Sequence, residues 1–316
     1  MTLQENDMQL FAKAVLDTFD LKEFSIDREK ALIGLKDDIS SEFEDLNSEE
    51  TKKARNDHFK IEGAKPEDYF EKVLLLDSGR KVIYGIRHMG GNPDLPFVQL
   101  TPNYQIYSKA EALEVYEKVR HEFEVFKPKF LSFWSRDQID ADFFGSIYMV
   151  STSKKMKLLD EWSLESDLTF TKITDDSYYD WYESGYKEFH ESSPELSQKV
   201  TVNSVDSMRD SLEEGLLFYV EFQGERIGLI AGERSKLLGH DGIYFHEIFI
   251  SKKWKGKGLA KAIQRKFIVS NTVEHELVWG TIDAHNLPSF KTAKSNGRRP
   301  MRYECFVDLP LGDSND

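Results

Sequence analysis

The pattern of apolar and polar residues predicts an α/β chain, most clearly beyond residue 167. Apolar residues that alternate with polar ones, or that form short runs between turn residues, predict strands, and apolar residues at three- and four-residue spacing predict helices. The predicted order is strand, two helices, three strands, helix, strand, helix and strand. Strands are expected at 168–173, 217–222, 226–231, 243–250, 277–283 and 301–307.

Two helices are expected between the first two of these strands. The first helix has an aromatic face formed by Tyr179, Tyr182, Tyr186 and Phe189. Asp175 or Asp176 would cap this helix, because a short polar side chain can accept hydrogen bonds from the first free amides. Asn203 is expected to cap the second helix, which would run through Leu212.

The first half of the chain has a weaker pattern of the same kind. Strands are predicted at 73–76, 82–86, 97–100 and 130–134, with a helix over 110–126. This order repeats part of the second half. We therefore expect two tandem domains, 1–160 and 161–316, with the first either a degenerate copy of the second or an unrelated α/β domain.

Composition narrows the class of protein. A hydrophobic content of 40% with 13% aromatic residues indicates a folded chain, and the net charge of −14 argues against a nucleic-acid partner. No run of eighteen apolar residues and no secretory signal are present, so neither a membrane span nor export is expected. The single cysteine suits the cytoplasm, and no histidine has metal-ligand spacing.

One short segment reverses the acidic character of the chain. Residues 252–266 contain seven basic residues and no acid. Within it, Gly256 and Gly258 stand between a predicted strand and a predicted helix, where the backbone must turn tightly. Free amides at a helix N-terminus and the helix dipole together favour a bound anion. The segment therefore predicts a site for a phosphate or pyrophosphate.

Two well-known phosphate loops do not fit this segment. No G-x-x-x-x-G-K-[ST] string occurs in the chain. A dinucleotide fingerprint would need a small residue where Lys261 stands, because the helix must pack closely on the strand there.

The residues instead resemble the acyl-CoA motif of the GNAT superfamily of N-acetyltransferases. The first motif reads Ile250-x-x-Lys253-x-x-Gly256-x-Gly258, with lysine where the family usually has Gln or Arg. The second, Asn286-x-x-Ser289 followed by a short helix and a glycine, lies about thirty residues further on. The implied fold is mixed α/β (α+β), with a mostly antiparallel central sheet flanked by helices.

The resemblance implies a site for acetyl-CoA (coenzyme A). The backbone near the end of the fourth strand would pair with the pantetheine arm, the turn and helix amides would hold the pyrophosphate, and the second motif would contact the cofactor from the other side. The implied residues are Phe249, Ile250, Lys253, Lys255, Gly256, Lys257, Gly258, Leu259, Ala260, Asn286 and Ser289.

The implied reaction is direct attack of an amine on the thioester, which needs a proton acceptor. Glu247 on the strand before the turn is the first candidate, and His246 is the second. Strand alternation would point them to opposite faces unless a bulge intervenes. The structural alternatives are an edge salt bridge for Glu247 and a structural role for His246.

Two positions depart from the family pattern. Ala293 stands where many members have a tyrosine that protonates the leaving thiolate, and Arg298 replaces a usual phenylalanine. Tyr303 is an alternative proton donor. The family's acceptor pocket corresponds to residues near the end of the aromatic helix, here Tyr186, Glu188, His190 and Glu191, whose acidic members suit a cationic amine.

The sequence therefore predicts a cytoplasmic, acetyl-CoA-dependent N-acetyltransferase acting on a primary amine of a small molecule or peptide. The first alternative is a catalytically silent acyl-CoA-binding module, which the missing tyrosine would permit. The second is a tandem-domain GNAT aminoacyl transferase, which fits the suspected duplication but not the intact CoA-type turn. Neither the acceptor nor the oligomeric state follows from the sequence.

Overall fold

The computed structural model describes residues 5–192, 194, 197 and 200–310. Contacts within the chain define two compact units. Unit 1 comprises Met1–Ile147 and Met301–Asp316, and unit 2 comprises Tyr148–Pro300. The candidate site lies in unit 2.

The described elements include helices and strands, numbered here in chain order. The helices are α1 (Glu5–Leu16), α2 (Arg28–Leu46), α3 (Glu49–Phe59), α4 (Lys109–Val119), α5 (Ser153–Lys157), α6 (Tyr179–Ser192), α7 (Arg209–Glu213), α8 (Leu259–Asn271) and α9 (Leu287–Ser295). The strands are β1 (Lys72–Leu75), β2 (Lys81–His88), β3 (Pro96–Pro102), β4 (Phe130–Ser135), β5 (Phe143–Thr152), β6 (Leu168–Lys172), β7 (Leu217–Phe222), β8 (Glu225–Leu237), β9 (His240–Ile250), β10 (Leu277–Asp283) and β11 (Arg299–Asp308).

In unit 2 the strands β10, β9, β8, β7 and β6 lie side by side in that order. The pairs from β6 to β9 are antiparallel, whereas β9 and β10 are parallel and connected through α8. A parallel pair needs such a crossover, because its two strands start at the same edge of the sheet.

Each face of this sheet packs on its own helix. Residues of β8 alternate between the two sides, with Ile230 in one apolar cluster and Leu229 in the other. The first cluster holds the buried face of α8, including Ile263 and Phe267. The second holds the tyrosines of α6.

A glycine allows α6 to approach the sheet closely. A Cβ atom at Gly185 would overlap the ring of Phe249 on β9. Phe249 is thereby packed between Tyr182 and Tyr186, whose ring centroids lie 5.5 and 5.6 Å from its own. This contact fixes the rotation of α6 about its axis and directs both tyrosines toward β9.

In unit 1 the strands follow the order β1, β2, β3, β4 and β11. The pairs β1–β2, β2–β3 and β4–β11 are antiparallel, and β3–β4 is parallel around α4. Their apolar side chains form one core with Val115 and Val119 of α4.

The predicted fold class, a mixed and mostly antiparallel sheet flanked by helices, is confirmed. The place of β11 differs from the sequence prediction: it was expected to complete the second half of the chain, but it pairs with β4 inside unit 1. The helices α2 and α3 and the strand β5 were not predicted. The division into domains at residues 160 and 161 stays a prediction.

None of the described helices combines the length and the apolar character that crossing a membrane requires.

We predict that Gly185→Ala destabilises the protein by about 1–3 kcal/mol, the usual cost of overpacking a tight core. The added methyl group would push α6 away from Phe249. The exposed neighbour provides the control, since Ser184→Ala adds no atoms on that face and should change the unfolding free energy by less than about 0.5 kcal/mol. Urea unfolding of both variants is the measurement, and equal stability of the two would contradict the packing argument.

Candidate functional site

The centre of the site is a β-bulge in β9. On β8, Ala231 lies opposite Glu247 and Gly232 lies opposite Phe245, so His246 is the extra residue. Phe245 and Ile248 accordingly both pack in the α8-side cluster although three positions separate them. The bulge thus breaks strict alternation at His246, which is the exception allowed in the expectation that Glu247 and His246 lie on opposite faces.

Glu247 is turned toward α6, where its carboxylate is buried with 9% exposure. One oxygen, Oε2, accepts hydrogen bonds from the hydroxyl of Tyr182 and from the hydroxyl of Tyr186 at 2.7 Å. The amide nitrogen of Asn203 approaches the same oxygen at 3.3 Å. The other oxygen, Oε1, accepts from the backbone N–H of Ile248 at 2.7 Å. Neutral donors therefore hold this buried carboxylate in one orientation.

The two tyrosines act here as hydrogen-bond donors. Burial, followed by the nearby charge of Glu247, raises the pKa of Tyr182 and of Tyr186 well above the ordinary value for a phenol. Both hydroxyls therefore keep their protons at neutral pH. The backbone N–H of Asn203 donates to the Tyr182 hydroxyl at 3.2 Å, which completes the network.

Asn203 and Tyr182 were missed as site residues by the sequence analysis. Asn203 was expected to cap a helix, but the chain forms a 3-10 turn at Asp206–Met208 before α7, and the side chain of Asn203 points to Glu247 instead. The sequence predicts Tyr182 only as part of the aromatic face of α6. Its position four residues before Tyr186 was the available signal, because such residues share a helix face.

His246 has a different partner. Its Nδ1 lies 3.3 Å from Oε2 of Glu233 on β8. The imidazole is therefore oriented by a carboxylate across the strand pair, in keeping with the structural alternative for this residue.

The strands β9 and β10 pair over a short length. Their register runs from Leu277 opposite Gly242 to Trp279 opposite Tyr244, whereas β9 continues to Ile250. Within the described residues, the backbone edge of β9 from Phe245 onward therefore has no partner in β10. Phe249 and Ile250, predicted as cofactor-binding residues, lie on this edge.

The predicted glycine turn connects this edge to α8. Gly256 and Gly258 have φ angles of +75° and +77°, which side chains other than glycine rarely adopt. Gly258 is the N-cap residue of α8, and no side chain caps the helix there. A Cβ atom at Gly256 would meet nothing within 4 Å. The first amides of α8, at Leu259 and Ala260, thus begin a helix without a side-chain cap.

The lysines of the turn differ in their contacts. Lys253 forms an ion pair with Glu225 at 2.7 Å. The ammonium of Lys255 lies 3.4 Å from the ring centroid of Phe189, and burial lowers its pKa. Lys257 is placed over the ring of Trp254 at 4.3 Å. Two of these lysine side chains therefore lie against aromatic rings, and the third forms an ion pair.

The second motif forms a helix cap. Asn286 is the N-cap residue of α9, and its Oδ1 accepts from the backbone N–H of Ser289 at 3.2 Å. This hydrogen bond explains the spacing of the two residues without reference to a ligand.

The other predicted residues fall into two groups. Tyr186 reaches the site, whereas Glu188 and Glu191 lie on the exposed side of α6. Ala293 is fully buried, and Tyr303 on β11 packs against Phe144 within unit 1, with ring centroids 5.9 Å apart.

No group of three or more His, Cys, Asp or Glu side chains among the described residues is arranged to hold a metal ion.

We predict that Tyr182→Phe lowers the unfolding free energy by about 1–3 kcal/mol, because the buried carboxylate of Glu247 loses a donor. In a Glu247→Leu background the same substitution should lower the unfolding free energy far less, since the phenol then has no carboxylate to which it can donate. Tyr179→Phe serves as the control, as Tyr179 contacts Tyr178 and Tyr182 through its ring. Denaturant unfolding of the wild type, the two single variants and the double variant gives the coupling energy between Tyr182 and Glu247. A coupling energy near zero would rule out the proposed network.

The chain is similar to known proteins in structure. No protein-family model matches the chain, and no curated protein matches it. A GCN5-related N-acetyltransferase from Sphaerobacter thermophilus matches in structure with a TM-score of 0.53 and 11% identity, over 97% of this chain and 94% of that chain.

Two further structures match with lower TM-scores. A GNAT-family acetyltransferase from Colwellia psychrerythraea has a TM-score of 0.46 and 9% identity, over 82% of this chain and 95% of that chain. A GCN5-related N-acetyltransferase from Kribbella flavida has a TM-score of 0.44 and 8% identity, over 85% and 97%. At these identities the likeness to the Sphaerobacter protein concerns the fold alone, and the chain has the fold of the GNAT superfamily.

Proposed function

We propose that this protein is an acetyl-CoA-dependent N-acetyltransferase that acts on a primary amine of a small molecule or peptide. The observation that carries the proposal is the placement of Glu247. Its oriented carboxylate stands at the bulge of β9, the same strand that ends in the glycine turn of α8. The proposed proton acceptor and the proposed anion site would thereby lie on one continuous strand and its turn.

The residues of the turn fit the phosphate end of the cofactor. An uncapped helix start carries free N–H donors and partial positive charge, and the space beside Gly256 is open. The amides from Lys255 to Ala260 would hold the pyrophosphate, and Lys253, Lys255 and Lys257 would add positive charge. When bound, the cofactor supplies an acetyl thioester whose carbonyl carbon is the electrophile.

The free edge of β9 fits the pantetheine arm. Backbone groups at Phe249 and Ile250 would hydrogen bond to the amides of the arm as a neighbouring strand would. Asn286 and Ser289 at the start of α9 would contact the cofactor from the side of β10. Their hydrogen bond to each other shapes the helix start that would meet the ligand.

Glu247 is the group proposed to accept the proton. An amine is protonated at neutral pH, so it must lose one proton before its nitrogen can attack the thioester carbonyl. The proton passes to Glu247 directly or through an intervening hydroxyl or water. Tyr186 is the more accessible of the two tyrosines, with 7% exposure against 0% for Tyr182. The amine is therefore expected to approach from the side of Tyr186.

A catalytically silent acyl-CoA-binding module is the second candidate. One observation favours it: Ala293 offers no proton to a leaving thiolate, and its position is fully buried. Transfer would then require the thiolate to leave unassisted or another donor to act. Turnover with a panel of amines separates the two candidates.

Unit 1 is proposed to be a degenerate copy of the same fold. The parallel pair β3–β4 around α4 repeats the arrangement of β9, α8 and β10. The start of α4 differs from that of α8, because Ser108 caps it and Glu111 accepts from the N–H of Tyr107 at 2.8 Å. A carboxylate and a cap thus occupy the place that an anion would need.

We predict that the protein binds acetyl-CoA but not free ATP, and that Gly256→Asp weakens this binding by about 100-fold or more. Bringing like charges together costs several kcal/mol, and the aspartate would face the pyrophosphate. Gly79→Asp is the matched control, because Gly79 also has a left-handed φ, +76°, and open space around it. Calorimetric titration is the measurement; unchanged affinity in Gly256→Asp would remove the turn from the site.

We also predict that Glu247→Gln lowers kcat for amine acetylation by about 10²- to 10⁴-fold, the usual contribution of a general base. Affinity for acetyl-CoA should stay the same, since the carboxylate does not belong to the cofactor site. His246→Asn should change kcat far less. Thiol release with saturating amine follows the reaction, and a larger loss in His246→Asn than in Glu247→Gln would reassign the base.

A further inference from the structure

Arg298 is a buried cation without an acidic neighbour. The residue is only 3% exposed, and it directly follows the glycine that ends α9. Its Nη2 donates to Oε1 of Gln264 at 3.1 Å, and its Nε has no acceptor among the described residues. By contrast, the guanidinium of Arg265 on α8 pairs with Glu165 at 2.6 Å.

An unpaired charge in this position is costly to the fold. Moving a guanidinium out of water is unfavourable unless an anion or several hydrogen bonds replace the lost hydration. Here burial lowers the pKa of Arg298 to about 9, so the group still carries its charge at neutral pH. The ring of Phe245, 4.8 Å from the guanidinium carbon, compensates in part. A bound anion would accept hydrogen bonds from the guanidinium N–H groups that Gln264 leaves without a partner.

The surrounding polar groups hold the guanidinium in place without neutralising it. Asn296 donates to Gln264 at 3.2 Å and to the carbonyl of Lys261 at 2.9 Å. Its own Oδ1 accepts from Nε1 of Trp162 at 3.0 Å. This chain of neutral side chains offers Arg298 one acceptor and fixes its direction.

The guanidinium lies where β9 and β10 separate. Tyr244 and Trp279 form the last pair of their register, and Phe245 and Gly280 are the next residues on each strand. A Cβ atom at Gly280 would lie 3.3 Å from Nη1 of Arg298 and 3.4 Å from the carbonyl oxygen of Phe245. The absence of a side chain at Gly280 therefore leaves room for the guanidinium at the closed end of the gap.

This position is at the far end of the proposed cofactor path. From Ile250 to Phe245 the free edge of β9 contains six residues, and the five steps between them cover about 16 Å at the rise of a β-strand. An extended arm anchored by its phosphate at the glycine turn would present its acyl end near this point. This step rests on the proposed function.

We propose that Arg298 binds the terminal carboxylate of a dicarboxylic acyl group, so that the proposed acetyl-CoA site also accepts acyl-CoA of the malonyl or succinyl class and binds it more tightly than an uncharged acyl-CoA of the same length. A guanidinium can hold a carboxylate through two parallel N–H donors. The transfer itself is unchanged: the amide C–N bond forms, the thioester C–S bond breaks, the ammonium proton goes to Glu247 and the thiolate leaves. The distal carboxylate takes no part in the bond changes.

The test is calorimetric titration with free CoA, butyryl-CoA and succinyl-CoA, two thioesters of similar length that differ in terminal charge. Wild-type protein should bind succinyl-CoA about 10- to 100-fold more tightly than butyryl-CoA, the range for hydrogen bonds between charged groups. In Arg298→Met this preference should disappear while affinity for free CoA stays the same. Arg299→Met, which changes the exposed neighbouring arginine, should keep the preference.

Thermal unfolding of the same variants separates binding from folding. Replacing an unpaired buried charge with an apolar side chain of similar length should raise the Tm of Arg298→Met. A large fall in Tm would instead make Arg298 a structural residue and contradict the proposal.

Three results, from the titration together with turnover of the same thioesters, would overturn the acyl assignment. Equal affinity of wild-type protein for succinyl-CoA and butyryl-CoA would overturn the acyl assignment and leave the proposed function standing. Unchanged binding of both thioesters in Arg298→Met, with slower turnover of each, would place the arginine at the leaving thiolate instead. Absence of any CoA binding by wild-type protein would overturn the proposed function and the acyl assignment together.

Discussion

The one-residue bulge at His246 is the constraint on which the arrangement of unit 2 depends. Without it, strict alternation from Ile243 and Phe245 would turn Glu247 and Phe249 toward the α8 side of the sheet. With it, Phe245, Ile248 and Ile250 all pack in the α8-side cluster, while Glu247 and Phe249 face α6. A buried carboxylate can then be met by two phenols and an amide instead of by apolar side chains. The same bulge lies next to the point where β9 leaves β10, so the proposed proton acceptor lies close to the free strand edge.

The last residues of β9 and the turn that follows them carry opposite kinds of charge. Glu247 is an acid buried among neutral donors, and the turn after Ile250 is basic and ends in a helix without a cap. The helix α4 of unit 1 lacks this arrangement, because its first turn uses Ser108 and Glu111 to satisfy its own amides. The comparison gives a physical reason why an anion site is proposed in one unit and not in the other. An uncapped helix start is a stability cost that a bound phosphate can offset.

Local patterns in the sequence were enough to predict elements, but not contacts between distant residues. The strands at 217–222 and 277–283 were predicted with the bounds that the structure has, because both are short apolar runs between clear turns. The glycine turn was also recognisable, since left-handed φ angles favour glycine. The role of Asn203 was not, because its partner lies 44 residues away and capping was the local alternative. The pairing of β11 with β4 was missed for the same reason: its partner is set by tertiary contacts, not by its own alternation.

The central claim is that one strand, β9, carries both the proton acceptor and the free edge that leads to the cofactor turn. A crystal structure of the protein with bound CoA tests it most directly. The claim predicts pyrophosphate oxygens within hydrogen-bond distance of the amides from Lys255 to Ala260, and an arm that runs along β9 so that the thiol lies near Phe245 and Glu247. A CoA molecule bound away from Gly256 and Gly258, or an arm that leaves the edge of β9 unpaired, would contradict it.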